Sequence, residues 1–132
     1  MTRSEFCELP DLINEVRQRK EEIEVLEGIA EGGSLASDND RVQTSVRDRT
    51  EILAAVIDLK QELEPLEEYL HYAQEQAKKI INAQLTGRDL RIMRLRYLTG
   101  LKWNQVARAM NYNATYIQEL NARCLDRLFP EK

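Results

Sequence analysis

Cysteine, glycine, proline and histidine are all scarce in this chain of 132 residues: two Cys, five Gly, three Pro and one His. Cys7 and Cys124 lie far apart, outside any Cys-x-x-Cys pattern and away from histidine, which argues against a disulfide framework or a metal site. With so few glycines and prolines, 42% hydrophobic and 32% charged residues fit a helical chain better than a sheet or a disordered one. No apolar run reaches the roughly 18 residues that span a bilayer, and the first residues do not resemble a secretory leader. A cytoplasmic protein is the expectation. His71, beside Tyr69 and Tyr72, reads as a surface residue. No converging nucleophile, base and oxyanion donors can be assembled, so neither enzymatic activity nor a cofactor is expected.

What is present is helical periodicity and a charge asymmetry. The net charge of -4 divides unevenly: residues 86–132 hold nine Lys or Arg against four acids, net +5, which leaves residues 1–85 at -9. Only the C-terminal part is therefore suited to approach a polyanion. Leu9, Leu12, Val16, Arg19, Ile23 and Leu26 step by three and four, the rhythm of a coiled-coil strand with one polar interruption. Gly28, Gly32-Gly33 and the polar run Ser34 to Asp40 predict a loop over 28–42. Within it, Asp38-Asn39-Asp40 lacks the Gly and the later Glu of a calcium loop and reads as solvated turn residues.

A longer seam follows, Ile52, Val56, Leu59, Leu63, Leu66, Leu70, Ala73, Ala77 and Ile80, on a helix expected over 44–85. Pro65 predicts a kink near Gln61 to Glu64, or a break that restarts the helix. A first helix of about 19 residues spans roughly 29 Å and its neighbour roughly 63 Å at 1.5 Å per residue, so half of the seam is left to another partner. That partner is either the C-terminal domain or a second copy of the chain. A homodimer through Leu66, Leu70, Ala73, Ala77 and Ile80 is the more economical expectation.

Residues 86–132 read as a separate domain. Thr86-Gly87-Arg88-Asp89 resembles a capping box opening a helix in which Leu90, Met93, Tyr97 and Leu98 face inward and Arg88, Arg91 and Arg94 lie elsewhere. Gly100 suits a left-handed stop. Trp103, Val106, Ala107 and Met110 predict a second helix, with Trp103 as a core anchor and the small Ala107 permitting close approach of a third. Asn111 stands where a left-handed residue is needed, and Asn113 is a good N-cap for a helix from Ala114 to about Leu128. Its buried stripe is Ile117, Leu120, Cys124 and Leu128. Thr115, Glu119, Ala122 and Asp126 lie opposite, with Gln118 and Arg123 at the flanks.

Such a pair of helices reads as a helix-turn-helix that docks a duplex. In a major groove, Gln118 can bond adenine, Glu119 can accept from cytosine and the Thr115 methyl can touch thymine. Lys102, Arg108 and Arg123 are the expected phosphate contacts, with Arg94 and Arg96 as further candidates. Asn104, Asn113 and Ala122 complete the expected DNA-binding surface.

The run Leu95 to Ala107, with Asn111-Tyr112-Asn113 and Ile117, resembles the fourth conserved region of bacterial sigma factors, the module that reads the -35 promoter element. Asp40 to Ser45 before a long helix, after a helical arm, is similar to small phage- and prophage-encoded sigma-like proteins, among them the ArpU-type late transcription regulators. Asn111 stands where that family usually has Gly and Asn113 where it has Ser, and the first recognition turn lacks basic residues. The resemblance implies an all-α protein in which a helical hairpin or coiled coil with a long kinked helix precedes a sigma region 4-like domain. Together with the seam, which suggests a dimer, it leads to the expectation of a regulator that binds double-stranded DNA in a bacterial host cell, an activator or adaptor with host RNA polymerase as a further contact. Two alternatives are a DNA-packaging recognition subunit and a protein-interaction factor that targets a host protein through its acidic helices.

Overall fold

The computed structural model describes residues 1–32 and 46–130, and every regular element among them is an α-helix. These are α1 (Arg3–Cys7), α2 (Leu9–Ala30), α3 (Val46–Gln84), α4 (Gly87–Tyr97), α5 (Trp103–Met110) and α6 (Ala114–Leu128). None is long and apolar enough to cross a membrane. The greater part of the expected loop, 33–42, including Asp38-Asn39-Asp40, lies outside the described residues, as does the sigma-like segment Asp40 to Ser45.

Two compact units emerge, and their division differs from the expected break between residues 85 and 86. The first joins Met1–Asn14 to Tyr69–Lys132, and the second is Glu15–Glu68. The redrawn division keeps the charge contrast, slightly reduced. The first unit carries twelve Lys or Arg against eight acids, net +4, and the second seven against fifteen, net -8.

In the second unit α2 and α3 run antiparallel, because ion pairs join Lys20 to Glu67 (2.9 Å) and Glu27 to Lys60 (3.1 Å), rising along one helix while falling along the other. Val16, Ile23, Ala30, Val56 and Leu63 are buried. Arg19, the polar interruption in the first seam, is half-buried and reaches Glu15 at 3.1 Å and Glu62 at 4.0 Å. These pairs are solvent-facing and each contributes little, about 0 to 1 kcal/mol. The apolar positions between them do most to hold the helices together. The loop expected from residue 28 begins later: α2 passes through Gly28, and the chain turns at Glu31 and Gly32. A lone helical glycine costs only about 1 kcal/mol, which burial of Ala30 helps to offset. Pro65 lies inside an unbroken α3, so the restart of the helix expected as one alternative does not occur.

The first unit adds to the sequence reading in two places. Thr2 caps a helix unforeseen in the sequence: its Oγ1 accepts from Glu5 N at 3.1 Å while Glu5 Oε1 accepts from Thr2 N at 3.2 Å. This places Phe6, fully buried, with its ring centroid 4.3 Å from Tyr97 and 5.3 Å from Phe129. The second half of the long seam is covered within the same unit. Leu70, Ala73 and Ala77 are buried there, and Gln74 Nε2 donates to Leu98 O at 3.1 Å. Leu70, Ala73 and Ala77, named above as a dimer seam, are thus buried within the single chain, while Leu66 and Ile80 are partly exposed. The buried isoleucine at that end is Ile81 rather than Ile80. A straight helix drifts about 20° per heptad, so a four-step rhythm through Ala77, Ile81 and Leu85 follows the buried side better.

Helices α4, α5 and α6 pack on one another around Ile92, Val106, Ala107, Ile117 and Leu120. Helix α4 starts at Gly87 as expected, yet the capping box does not form, since the Thr86 side chain makes no capping bond. Gly87 has φ +58°, a left-handed entry that displaces the first turn from capping geometry, and Asp89 lies instead 3.5 Å from Arg88 Nε. Gly100, at φ +80°, ends the α4 segment as expected, and its carbonyl accepts from Asn14 Nδ2 at 3.4 Å.

Candidate nucleic-acid interface

The turn between α5 and α6 is built by its two asparagines. Asn111 sits at φ 61°, ψ 39°, where Asn is strained less than most residues. Its N–H donates to Arg108 O at 3.4 Å and Tyr112 N donates to Ala107 O at 3.0 Å, a pair of bonds that closes the end of α5. Asn113 then caps α6 with Oδ1, which accepts from Tyr116 N at 2.8 Å. At the other end of α5, Gln105 Oε1 accepts from Lys102 N at 2.9 Å. Three residues, Asn111 to Asn113, thus join α5 to α6.

Burial along α6 divides its sides cleanly. Ile117, Leu120, Cys124 and Leu128 are buried as expected, and Leu125 joins them. Thr115, Gln118, Glu119, Ala122 and Arg123 are all exposed, as are Lys102, Asn104, Arg108 and Asn113. All nine expected contact residues belong to the first unit, the one of positive charge. For Asn113 the role shifts, because its amide oxygen is committed to the cap. Asp126, opposite the buried stripe, pairs with Arg3 at 2.9 Å.

Arg96 is removed from the candidate phosphate contacts. It is half-buried, its guanidinium lies 4.5 Å from the centre of the Trp103 ring, and Nη1 donates to Leu101 O at 2.8 Å. It braces the α4–α5 connection and holds Trp103 against the core. Arg94 is exposed. Sequence reading missed a cluster at the start of α6: Arg88 Nη1 donates to Tyr116 Oη at 3.3 Å, and the rings of Tyr112 and Tyr116 meet edge-on at 5.2 Å. The hydroxyl of Tyr112, with Tyr116 and Asp89 beside it and some desolvation in opposition, holds the Arg88 guanidinium above its ordinary pKa.

Two buried groups in the adjoining core have raised pKa values. Burial pushes the Tyr97 hydroxyl up to about 12, against the lowering effect of its 2.7 Å hydrogen bond to Asn121, and pushes the Cys124 thiol up to about 11. Cys124 is therefore a small apolar filler rather than a reactive thiol. Among the described residues, no group of three or more His, Cys, Asp or Glu side chains is placed to hold a metal ion. No known family, curated protein or solved structure matches the chain.

Proposed function

We propose that this chain is a sequence-specific double-stranded DNA-binding protein that presents α6 to the major groove. Thr115, Gln118 and Glu119 read base edges, while Lys102, Arg108 and Arg123 contact phosphates. The observation that carries this reading is the outward polar face of α6, held on a packed three-helix core in a unit of net charge +4. Together with the sigma region 4 resemblance of residues 95–117, it favours a helix-turn-helix transcription regulator, an activator or adaptor of phage or prophage genes.

Binding isotherms on duplexes selected from the source genome test the proposal. Gln118→Ala and Glu119→Ala should change which sequences are preferred, whereas Arg123→Ala should weaken binding to every sequence and flatten its salt dependence. Three isotherms indistinguishable from that of the unaltered chain would remove α6 from the groove.

A protein partner for the second unit is a second reading, compatible with the first. That unit has net charge -8, yet exposes Val25, Leu53 and Ile57, each about half accessible. Ile57→Ser should then reduce binding to host RNA polymerase and leave the DNA isotherm unchanged.

A further inference from the structure

The Arg88–Tyr112–Tyr116 cluster is positioned by the fold at one edge of the exposed face of α6. Tyr116 is half-buried against the three-helix core, so its ring is fixed, while its hydroxyl meets the guanidinium of Arg88 reaching across from α4. The Arg88 guanidinium carbon lies 6.0 Å from the centre of that ring, and 43% of the side chain remains accessible. On a helix of 3.6 residues per turn, steps of seven and eleven residues return to within about 20°. Tyr116, Arg123 and Arg127 consequently share one flank of α6, next to Thr115 and Glu119, and Arg123 and Arg127 are exposed. Gln118 lies on the opposite flank. Arg88, although it belongs to another helix, extends this cationic edge towards the N-terminal end of α6.

A guanidinium in this setting has the properties of a phosphate ligand. It presents a planar fork of donors, and a neighbouring hydroxyl and aromatic ring limit its freedom before any ligand arrives. Tyrosine hydroxyls are themselves common donors to phosphate oxygens. A carboxylate beside it, that of Asp89, stands 3.5 Å from Nε, leaving Nη1 directed to Tyr116. We propose that Arg88, positioned by Tyr116, is a backbone-phosphate contact of the duplex, gripping the strand that also meets Arg123.

This inference rests on the DNA-binding reading above, and the experiment separates the two. Full-length chains carrying Arg88→Ala, Arg88→Lys, Tyr116→Phe or Arg123→Ala are titrated against a random-sequence duplex and a selected duplex over a range of salt concentrations, with thermal melting of each chain as the folding control. Arg88→Ala should weaken binding to both duplexes by a similar factor, on the order of ten-fold, and reduce the salt slope by about one. Arg88→Lys should restore the slope but only part of the affinity. Tyr116→Phe should cost less than Arg88→Ala and leave the slope unchanged, the mark of a residue that acts through its neighbour. If Arg123→Ala weakens binding while Arg88→Ala retains wild-type affinity and slope, the Arg88 contact is overturned and the α6 reading survives. A wild-type chain that binds neither duplex overturns both.

Discussion

Asn111 concentrates the conformational demand of the α5–α6 turn in one residue. At φ 61° a β-carbon is costly, and Asn tolerates the region better than alanine but less well than glycine. Asn111→Ala should lower stability by about 1 kcal/mol and Asn111→Gly should leave it unchanged or raise it slightly, both readable from denaturant midpoints. Gly100 is less forgiving, because a β-carbon there would meet Ile13 Cγ2 at 2.8 Å as well as occupying φ +80°. Gly100→Ala should therefore destabilise more than Asn111→Ala, and truncation of Ile13 should recover only the steric part. Titration gives a further residue-scale expectation. Cys124 and Tyr97 have folded-state pKa values raised to about 11 and about 12 from ordinary values of 9.0 and 10.0. Above pH 9 the unfolded chain binds fewer protons than the folded one, so stability should fall from pH 9 upward. Cys124→Ala should remove the part of that fall lying between pH 9 and 11, leaving the tyrosine part between pH 10 and 12.

At the scale of elements, the last three helices were legible from sequence because local chemistry specifies them. Gly100, Asn111 and Asn113 punctuate the chain in the way their backbone and side chains permit, and the buried stripe of α6 follows its period. Helix α1 carried an equally local signal, Thr2-x-x-Glu5, but its five residues are too short for periodicity to announce. The course of the second seam was less accessible. Periodicity reveals that Leu70, Ala73 and Ala77 must be covered, not by what, and the covering unit draws on segments distant in sequence. The candidate interface divides similarly. Exposure of Thr115, Gln118 and Glu119 follows from the helical wheel, whereas the stacking of Arg96 on Trp103 and the reach of Arg88 to Tyr116 depend on tertiary placement. Packing of α5 against α6 offers an element-scale check. Ala107 is 5% exposed in the shared core, so Ala107→Leu should overpack it and cost about 1 to 3 kcal/mol.

At the scale of the whole molecule, each unit draws on segments far apart in the sequence or joined outside the described residues, and the chain sorts its charge between them. A fragment covering only residues 86–132, the division suggested by composition, would lack Phe6 and the buried positions of α3 from the same unit. It should show less helix by circular dichroism and a lower melting temperature than the intact chain. Phe6→Ala in the intact chain should reproduce much of this loss, at about 3 to 5 kcal/mol. Equal helicity and melting of fragment and intact chain would refute the shared core.

The meeting of Phe6 with Phe129, and of Arg3 with Asp126, also bears on how the molecule comes into being. Ribosomal synthesis delivers α1 before its aromatic neighbours, the nearer of which, Tyr97, follows only after about ninety further residues. Until then Phe6 has no native pocket, and closing so long a loop delays the contacts that reward it. Maturation of the basic unit is thereby deferred until α6 has been made, which gives nascent chains an interval in which chaperones can engage them.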